Sequence, residues 1–181
     1  MVYNNGFVSE FRDPEEGTFG YASALIELRQ IDRDVARAVL SGVMPPGVRW
    51  AEDYPTAGDI EAAELLLQRM REGDEVIPFG MYEIVEIATS TVVGGIGFHR
   101  PPDRRGAVEI GYGVVPSHWD QGFGTQAVEE AVELAQRHGA GKVTARTLPP
   151  NVASRRVLEK AGFSFSEIVD GFAVYEIDIS R

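Results

Sequence analysis

A pair of glycines lies between a β-type run and an amphipathic helix pattern in residues 114 to 139, VVPSHWDQGFGTQAVEEAVELAQRHG. Gly122 and Gly124 fall where that helix must begin, although glycine is a poor helix former. The first turn of a helix carries unpaired backbone N–H groups and the positive end of the macrodipole. Glycines there allow a bulky anion to approach the amides, which predicts a phosphate or pyrophosphate site. A tight strand-to-helix turn without a ligand is the alternative that spacing alone leaves open.

The rest of the chain continues this alternation of strands and helices. Strands are predicted at 24–29, 76–89, 90–100, 107–115, 142–148 and 172–180, and helices at 32–42, 59–73, 122–138 and 151–161. Asp32 and Asp59 are expected to open the first two helices, and the short Thr89-Ser90 junction indicates a hairpin. This order predicts an α/β fold with a mixed, mostly antiparallel central sheet of six to seven strands and helices on both faces. The length of 181 residues fits one domain, with residues 1–20 as a loosely ordered lead-in.

The composition excludes several kinds of function. No apolar run approaches the roughly 20 residues that a membrane span needs, so no membrane insertion is expected. The net charge of −11 disfavours nucleic acid as a partner, because an acidic surface repels phosphate backbones. The absence of cysteine excludes disulfides, thiolate metal sites and a cysteine nucleophile, and the three histidines are not spaced as a metal site. Without an export signal at its start, the chain is expected in the cytoplasm.

Two other phosphate-binding motifs compete for the glycines. Gly122, Gly124 and Ala127 match the dinucleotide pattern G-x-G-x-x-A, but that pattern belongs in the first strand–helix turn, with an acidic residue about 20 positions later. Here it follows the fourth predicted strand, and the acidic residue is missing. Gly141-Lys142 has no earlier glycine at the spacing of a P-loop, so that interpretation fails.

Two segments in the right order resemble the GCN5-related N-acetyltransferase (GNAT) family. The segment VVPSHWDQGFGTQAVEEAVELA is similar to the acyl-CoA-binding motif of that family, and its Trp-x-x-Gly form resembles the ribosomal-protein-acetylating (RimJ/RimL type) branch. The segment LPPNVASRRVLEKAGFSF, residues 148–165, is similar to the second signature of the same branch. The resemblance therefore implies a GNAT fold over 1–181, with acceptor-side elements at 21–75 and an acyl-CoA-binding core at 91–165.

The resemblance also implies how coenzyme A is held. Backbone amides from Gln121 to Thr125 would bind the pyrophosphate, and main-chain groups near Val114 and Val115 would pair with the pantetheine arm. A β-bulge is expected between Gly111 and Gly113, where it would part this strand from the next. The implied coenzyme-binding residues are Val114, Val115, Trp119, Gln121, Gly122, Phe123, Gly124, Thr125, Asn151, Ser154 and Arg156. Trp119 departs from the Gln or Arg that is common in the family at that position.

Three residues are implied in catalysis. Glu109 matches a strand glutamate that acts as a base in several relatives, although an acid alternating with apolar neighbours is also typical of a solvent-facing strand position. Asn151 is expected to cap its helix and to contact the pantetheine arm or its sulfur. Ser154 matches a serine proposed as the acid that protonates the thiolate. Many relatives use a tyrosine of the same helix instead, and Leu158 stands there in this chain.

The implied function is direct transfer of an acetyl group from acetyl-CoA to a primary amine of a protein N-terminus or a small molecule, through a ternary complex without a metal. A catalytically silent acyl-CoA sensor and an enzyme that uses a longer acyl-CoA are the alternatives. Exposed strand edges and the habit of the family are compatible with a homodimer.

Overall fold

The computed structural model of the protein describes residues 8–12, 19–74 and 76–180, with side chains from residue 24 onward. Its strands are β1 Val8–Arg12, β2 Phe19–Ser23, β3 Ile26–Gln30, β4 Arg49–Trp50, β5 Met81–Glu86, β6 Thr91–Phe98, β7 Ala107–Val114, β8 Lys142–Thr147, β9 Ser164–Val169 and β10 Phe172–Asp178. Its α-helices are α1 Arg33–Ser41, α2 Ala57–Glu72, α3 Phe123–Arg137 and α4 Val152–Lys160. Within this part of the chain, no helix has the length and apolar character needed to cross a bilayer.

The strands form one open sheet in the order β3-β5-β6-β7-β8-β10-β9, with the short β4 beside β6. Only the β7–β8 and β4–β6 pairs are parallel, which confirms the predicted mixed, mostly antiparallel sheet. The hairpin at Thr89-Ser90 is also confirmed, since β5 and β6 pair antiparallel around it. Strands β4 and β9 were not predicted, and with them the sheet has eight strands where six to seven were expected. Residues 1–7 and 13–18 of the predicted lead-in lie outside the described residues, and β1 and β2 form a separate antiparallel pair.

Side chains cap three of the four helices. The Asp32 carboxylate accepts from two amides of α1, as predicted, and the Asn151 side chain caps α4. The predicted start of α2 at Asp59 is wrong, because Thr56 is the N-cap and Asp59 is the third helical residue of a capping box. The Asp59 carboxylate reaches back to the Thr56 N–H, so it satisfies the helix end from within the first turn.

The helices lie on both faces of the sheet, as predicted. The cross-strand pairs Gly95–Gly113 and Gly97–Gly111 place four glycines on the face covered by α2. Residues that alternate with them, including Tyr112 and Val114, point to the opposite face, where α3 and α4 pack. Helix α3 is fixed to the sheet by its Gln126 side chain, whose Oε1 accepts from the Leu25 and Ile26 amides at 2.8 and 3.2 Å.

Candidate functional site

Helix α3 begins without a side-chain cap, unlike the other three helices of the described part of the chain. Its N-cap is Gly122, whose φ of +85° lies in the left-handed region that favours glycine. The first backbone bond of the helix runs from the Gln126 N–H to the Gly122 carbonyl, at 3.1 Å. The preceding amides of the first turn therefore have no capping side chain and are available to an anion.

Gly124 is not required by the packing of the chain. A Cβ built at this position lies 3.6 Å from a Val157 methyl and 3.7 Å from a Val114 methyl, which is ordinary van der Waals contact. Such a Cβ would nevertheless narrow the space between β7 and α4. A glycine here keeps that space open without being needed for the fold.

Strands β7 and β8 part in front of this helix. Their parallel ladder runs from the Ala107–Lys142 pair to the Ile110–Ala145 pair and stops, although both strands continue. The predicted bulge between Gly111 and Gly113 is wrong, because the β6–β7 register is regular from Phe98–Ile110 to Gly94–Val114. The only register shift along β6 falls on its pairing with β5. The parting of β7 from β8 alone opens the slot between these strands.

Of the two residues predicted to pair with pantetheine, only Val114 faces the slot. The Val115 N–H binds the Val93 carbonyl at 2.8 Å, and the Val115 carbonyl accepts from the His118 N–H at 3.0 Å. Since backbone groups alternate in direction along an antiparallel edge, those of Tyr112 and Val114 point away from β6. The Val114 carbonyl accepts a 2.6 Å hydrogen bond from the indole Nε1 of Trp119, a residue that is 59% exposed.

Tyr112 joins the slot to α4. Its hydroxyl donates to the Ser154 carbonyl at 3.0 Å and lies 2.9 Å from the Ser154 Oγ. Burial raises the pKa of Tyr112 to about 12, against the opposing effect of the Ser154 hydrogen bond. The phenol therefore stays protonated at neutral pH and is a hydrogen-bond donor.

Glu109 lies on the α2-facing side of β7, next to the glycines. Its Oε2 is 2.9 Å from the Arg146 Nη2, and its Oε1 is 3.3 Å from the His99 Nδ1. The His99 ring also covers Gly111, where a Cβ would come within 3.2 Å of Nε2. Glu109 is thus held in a charged cluster at one end of the glycine-bearing face.

A cavity of ≈ 340 Å³ lies between α2 and the four glycines. Its lining includes Asp59 and Arg69 of α2 and, at the sheet, Tyr112. Because Tyr112 also contacts Ser154, this residue lies where the cavity meets the slot. The volume lies within the range of small-ligand sites.

Residues 26–164 match the family model described as the acetyltransferase (GNAT) domain. The chain belongs to the GNAT acetyltransferase family. It is 30% identical over 112 residues to the uncharacterized N-acetyltransferase YjdG of Bacillus subtilis (strain 168), a match that covers 61% of this chain and 67% of that protein.

Solved GNAT structures share the fold. RimL, a ribosomal L7/L12 alpha-N-protein acetyltransferase in complex with coenzyme A, matches with a TM-score of 0.62 and 20% identity, over 87% of this chain and 96% of that chain. A spermidine N-acetyltransferase SpeG chimera from Vibrio cholerae and hSSAT matches with a TM-score of 0.62 and 14% identity, over 86% and 96%. The predicted fold is confirmed, and the family match confirms the predicted enzyme class, an N-acyltransferase.

The remaining residues predicted for the GNAT site lie on α4 and its first turn. Asn151 is exposed, and its Oδ1 accepts from the Ser154 N–H at 3.1 Å. Arg156 is exposed, whereas Arg155 donates to the Tyr175 hydroxyl at 3.0 Å and is part of the packing. Leu158 is fully buried in the core and carries no hydroxyl that could act as an acid. The described residues contain no group of three or more potential metal ligands.

Sequence reasoning missed two residues of this GNAT site. Tyr112 lies in a strand where it alternates with Gly111 and Gly113, and this pattern gives no sign of a hydroxyl partner 42 residues later. Asp59 was interpreted only as a helix opener. A Thr-x-x-Asp capping pattern was the available signal for its inward direction, but nothing local indicated the cavity that it faces.

Proposed function

We propose that this protein transfers an acetyl group from acetyl-CoA directly to a primary amine of a small molecule or a protein N-terminus, within a ternary complex. The observation that carries the proposal is the uncapped amino end of α3 beside the parted strands β7 and β8. This arrangement offers free amides for a diphosphate and a free strand edge for an extended arm in adjacent positions.

Each part of coenzyme A has a matching group in the chain. The amides from Gln121 to Thr125 would bind the pyrophosphate, with the Thr125 hydroxyl as a further donor, and the exposed Arg156 would bind the 3′-phosphate. The backbone of Val114 would pair with the pantetheine arm once Trp119 releases its carbonyl. Asn151 and Ser154 would contact the sulfur end of the arm.

The transfer forms an N–C bond and an S–H bond and breaks a C–S bond and an N–H bond. The amine nitrogen attacks the thioester carbonyl carbon, the N–C bond forms, and the C–S bond breaks with its electron pair on sulfur. A proton leaves the attacking nitrogen, and Glu109 would accept it directly or through water. The Tyr112–Ser154 hydroxyl pair would donate a hydrogen bond to the departing thiolate and deliver its proton.

Thiol release from acetyl-CoA in the presence of a panel of primary amines tests this proposal. The chain has no cysteine, so every thiol that appears is free coenzyme A. Turnover with any amine supports the enzyme, whereas binding of acetyl-CoA without turnover supports the silent sensor. The same assay with longer acyl-CoA donors gives the preferred acyl group.

Gly124→Ala tests the binding site separately. The added methyl fits the fold, so the melting temperature should stay the same or rise, because alanine is the better helix former by about 1 kcal/mol. Coenzyme A binding should weaken, because the methyl narrows the space between β7 and α4 that the arm would enter. Unchanged affinity for coenzyme A would contradict the proposed position of the arm.

A further inference from the structure

The floor of the cavity beneath α2 is rich in glycine, although the His99 ring covers Gly111 and Met81 lies against Gly95 and Gly97. Gly95, Gly97, Gly111 and Gly113 form that floor on neighbouring strands. A Cβ at Gly113 would meet no atom within 4 Å, so the space above it is open and not filled by packing. The opposite wall carries Ala62, Leu65 and Leu66 of α2 together with the charged residues Asp59, Glu61 and Arg69. This shape suits a narrow apolar body that lies flat on the sheet.

Asp59 is buried in this cavity with one oxygen unused. The residue is 4% exposed, and its Oδ2 accepts from the Thr56 N–H and hydroxyl at 2.8 and 2.6 Å. Its Oδ1 points to the floor, 2.6 Å from the position of a Cβ at Gly95, and has no hydrogen-bond partner among the described residues. Burial raises the pKa of Asp59, although the Thr56 hydrogen bonds act in the opposite direction.

Asp59 also lacks a positive partner. Two carboxylates are buried in the part of the chain with described side chains, Asp59 and Glu83. Glu83 is paired with Arg29 at 2.7 Å, whereas no basic side chain within that part lies within 4 Å of the Asp59 carboxylate. An unpaired buried carboxylate is costly, and a cationic ligand would relieve that cost.

We propose that Asp59 binds the ammonium group of the acceptor, and that the acceptor is a primary amine on a narrow, unbranched apolar chain. The inference rests on the proposed function, since it names the second substrate of the same site. Asp59 would hold the nitrogen at the α2 end of the glycine floor, its proton would pass to Glu109 through water, and the rest of the acceptor would lie along Leu65 and Leu66.

The test is calorimetric titration of n-hexylammonium into the full-length protein saturated with coenzyme A. Asp59→Asn should weaken binding by about 10- to 100-fold, the range for a lost hydrogen bond to a charged group. Gly113→Ala should also weaken it, because the methyl projects into the cavity. The neutral analogue 1-hexanol should bind wild type and Asp59→Asn equally, since it carries no charge.

Two controls separate ligand binding from a structural role. Asp32→Ala removes the N-cap of α1 and lies outside the cavity, so it should lower the melting temperature while hexylammonium binding stays the same. Glu64→Gln removes one exposed charge from α2 outside the cavity and should change neither quantity.

The outcomes distinguish the two proposals. Equal affinity for hexylammonium in wild type and Asp59→Asn would overturn the role of Asp59, and so would the absence of binding by a protein that does bind coenzyme A. Failure to bind coenzyme A at all would overturn the proposed function instead.

Discussion

The Trp119 indole donates a hydrogen bond to the Val114 carbonyl, the group with which an extended ligand along β7 would pair. Its Nε1 donates to the Val114 oxygen at 2.6 Å, and the Val114 backbone is the part of this edge that faces the slot. The ring is 59% exposed, so it can leave without opening the core. In the proposed complex, coenzyme A and Trp119 would therefore compete for the Val114 carbonyl.

This competition predicts that Trp119→Phe binds coenzyme A more tightly. The variant has no internal hydrogen bond to break, and a typical net hydrogen bond contributes about 1 kcal/mol, or roughly fivefold in affinity. Titration calorimetry gives the affinity. In wild type, coenzyme A should also change the tryptophan fluorescence, and this change should disappear in Trp119→Phe, which retains Trp50 as the reference. Weaker binding by the variant would show that the indole contacts the ligand instead.

The Tyr112–Ser154 pair predicts a selective loss of kcat. Tyr112→Phe should lower kcat by about 100-fold, within the range for a lost proton donor, with little change in the KM for acetyl-CoA. Ser154→Ala should cost less, because the Tyr112 hydroxyl keeps the Ser154 carbonyl as a partner. Tyr82→Phe is the matched control, since it removes a buried hydroxyl that donates to Pro78 away from the slot. Equal losses in Tyr112→Phe and Tyr82→Phe would point to a structural effect.

Substitutions of Glu109 and of its ion-pair partner Arg146 should affect the rate differently if Glu109 is the base. If Glu109 is the base, Glu109→Gln should lower kcat by about 100-fold at neutral pH. Arg146→Met breaks the same 2.9 Å contact but leaves the carboxylate in place, so it should retain most of the rate. Steady-state thiol release measures both variants. Equal losses would mean that the ion pair orders the strands, and unchanged rates in Glu109→Gln would remove this residue from the mechanism.

Replacing Glu130 by a neutral residue should stabilise the fold by an amount that depends on pH. Burial, followed by repulsion from Glu133, raises the pKa of Glu130 to about 7 from the ordinary 4.5. The folded state thus holds this proton more tightly than the unfolded state, and the resulting stabilisation is present at low pH and lost as pH rises through about 7. Glu130→Gln should therefore raise the melting temperature at pH 8 more than at pH 5.

Thermal melts across this pH range, with Glu64→Gln beside them, isolate the effect. Glu64 is an exposed helix residue, so its variant corrects for the general benefit of removing a negative charge from a chain of net charge −11. The same pH dependence in both variants would contradict the assignment to Glu130.

The elements that the sequence predicts well are those with local signals at both ends. Helix α3 is predicted at 122–138 and found at Phe123–Arg137, because Gly122 precedes it and His138-Gly139 closes it. Strand β9 was missed although Asp170-Gly171 carries an Asp-Gly hairpin signal, with φ of +49° and +83°. This edge strand is exposed along most of its length, so it lacks the alternation that marks a half-buried strand.

The candidate site likewise has one part with a local sequence signal and one part without such a signal. Its proposed phosphate-binding end lies in one continuous segment, so the motif alone can predict it. The cavity depends on the register that brings Gly95 opposite Gly113 and on a helix crossing above both, and no local pattern encodes that register. The missing positive partner of Asp59 is likewise a property of the assembled molecule.

The parting of β7 from β8 makes a window through the sheet. In the proposed complex, coenzyme A would approach this gap from the side of α3 and α4 and the acceptor from the side of α2, so neither would block the entry of the other. Such a layout would need no fixed order of binding or release, and the acyl group would cross the sheet while its carrier stays bound.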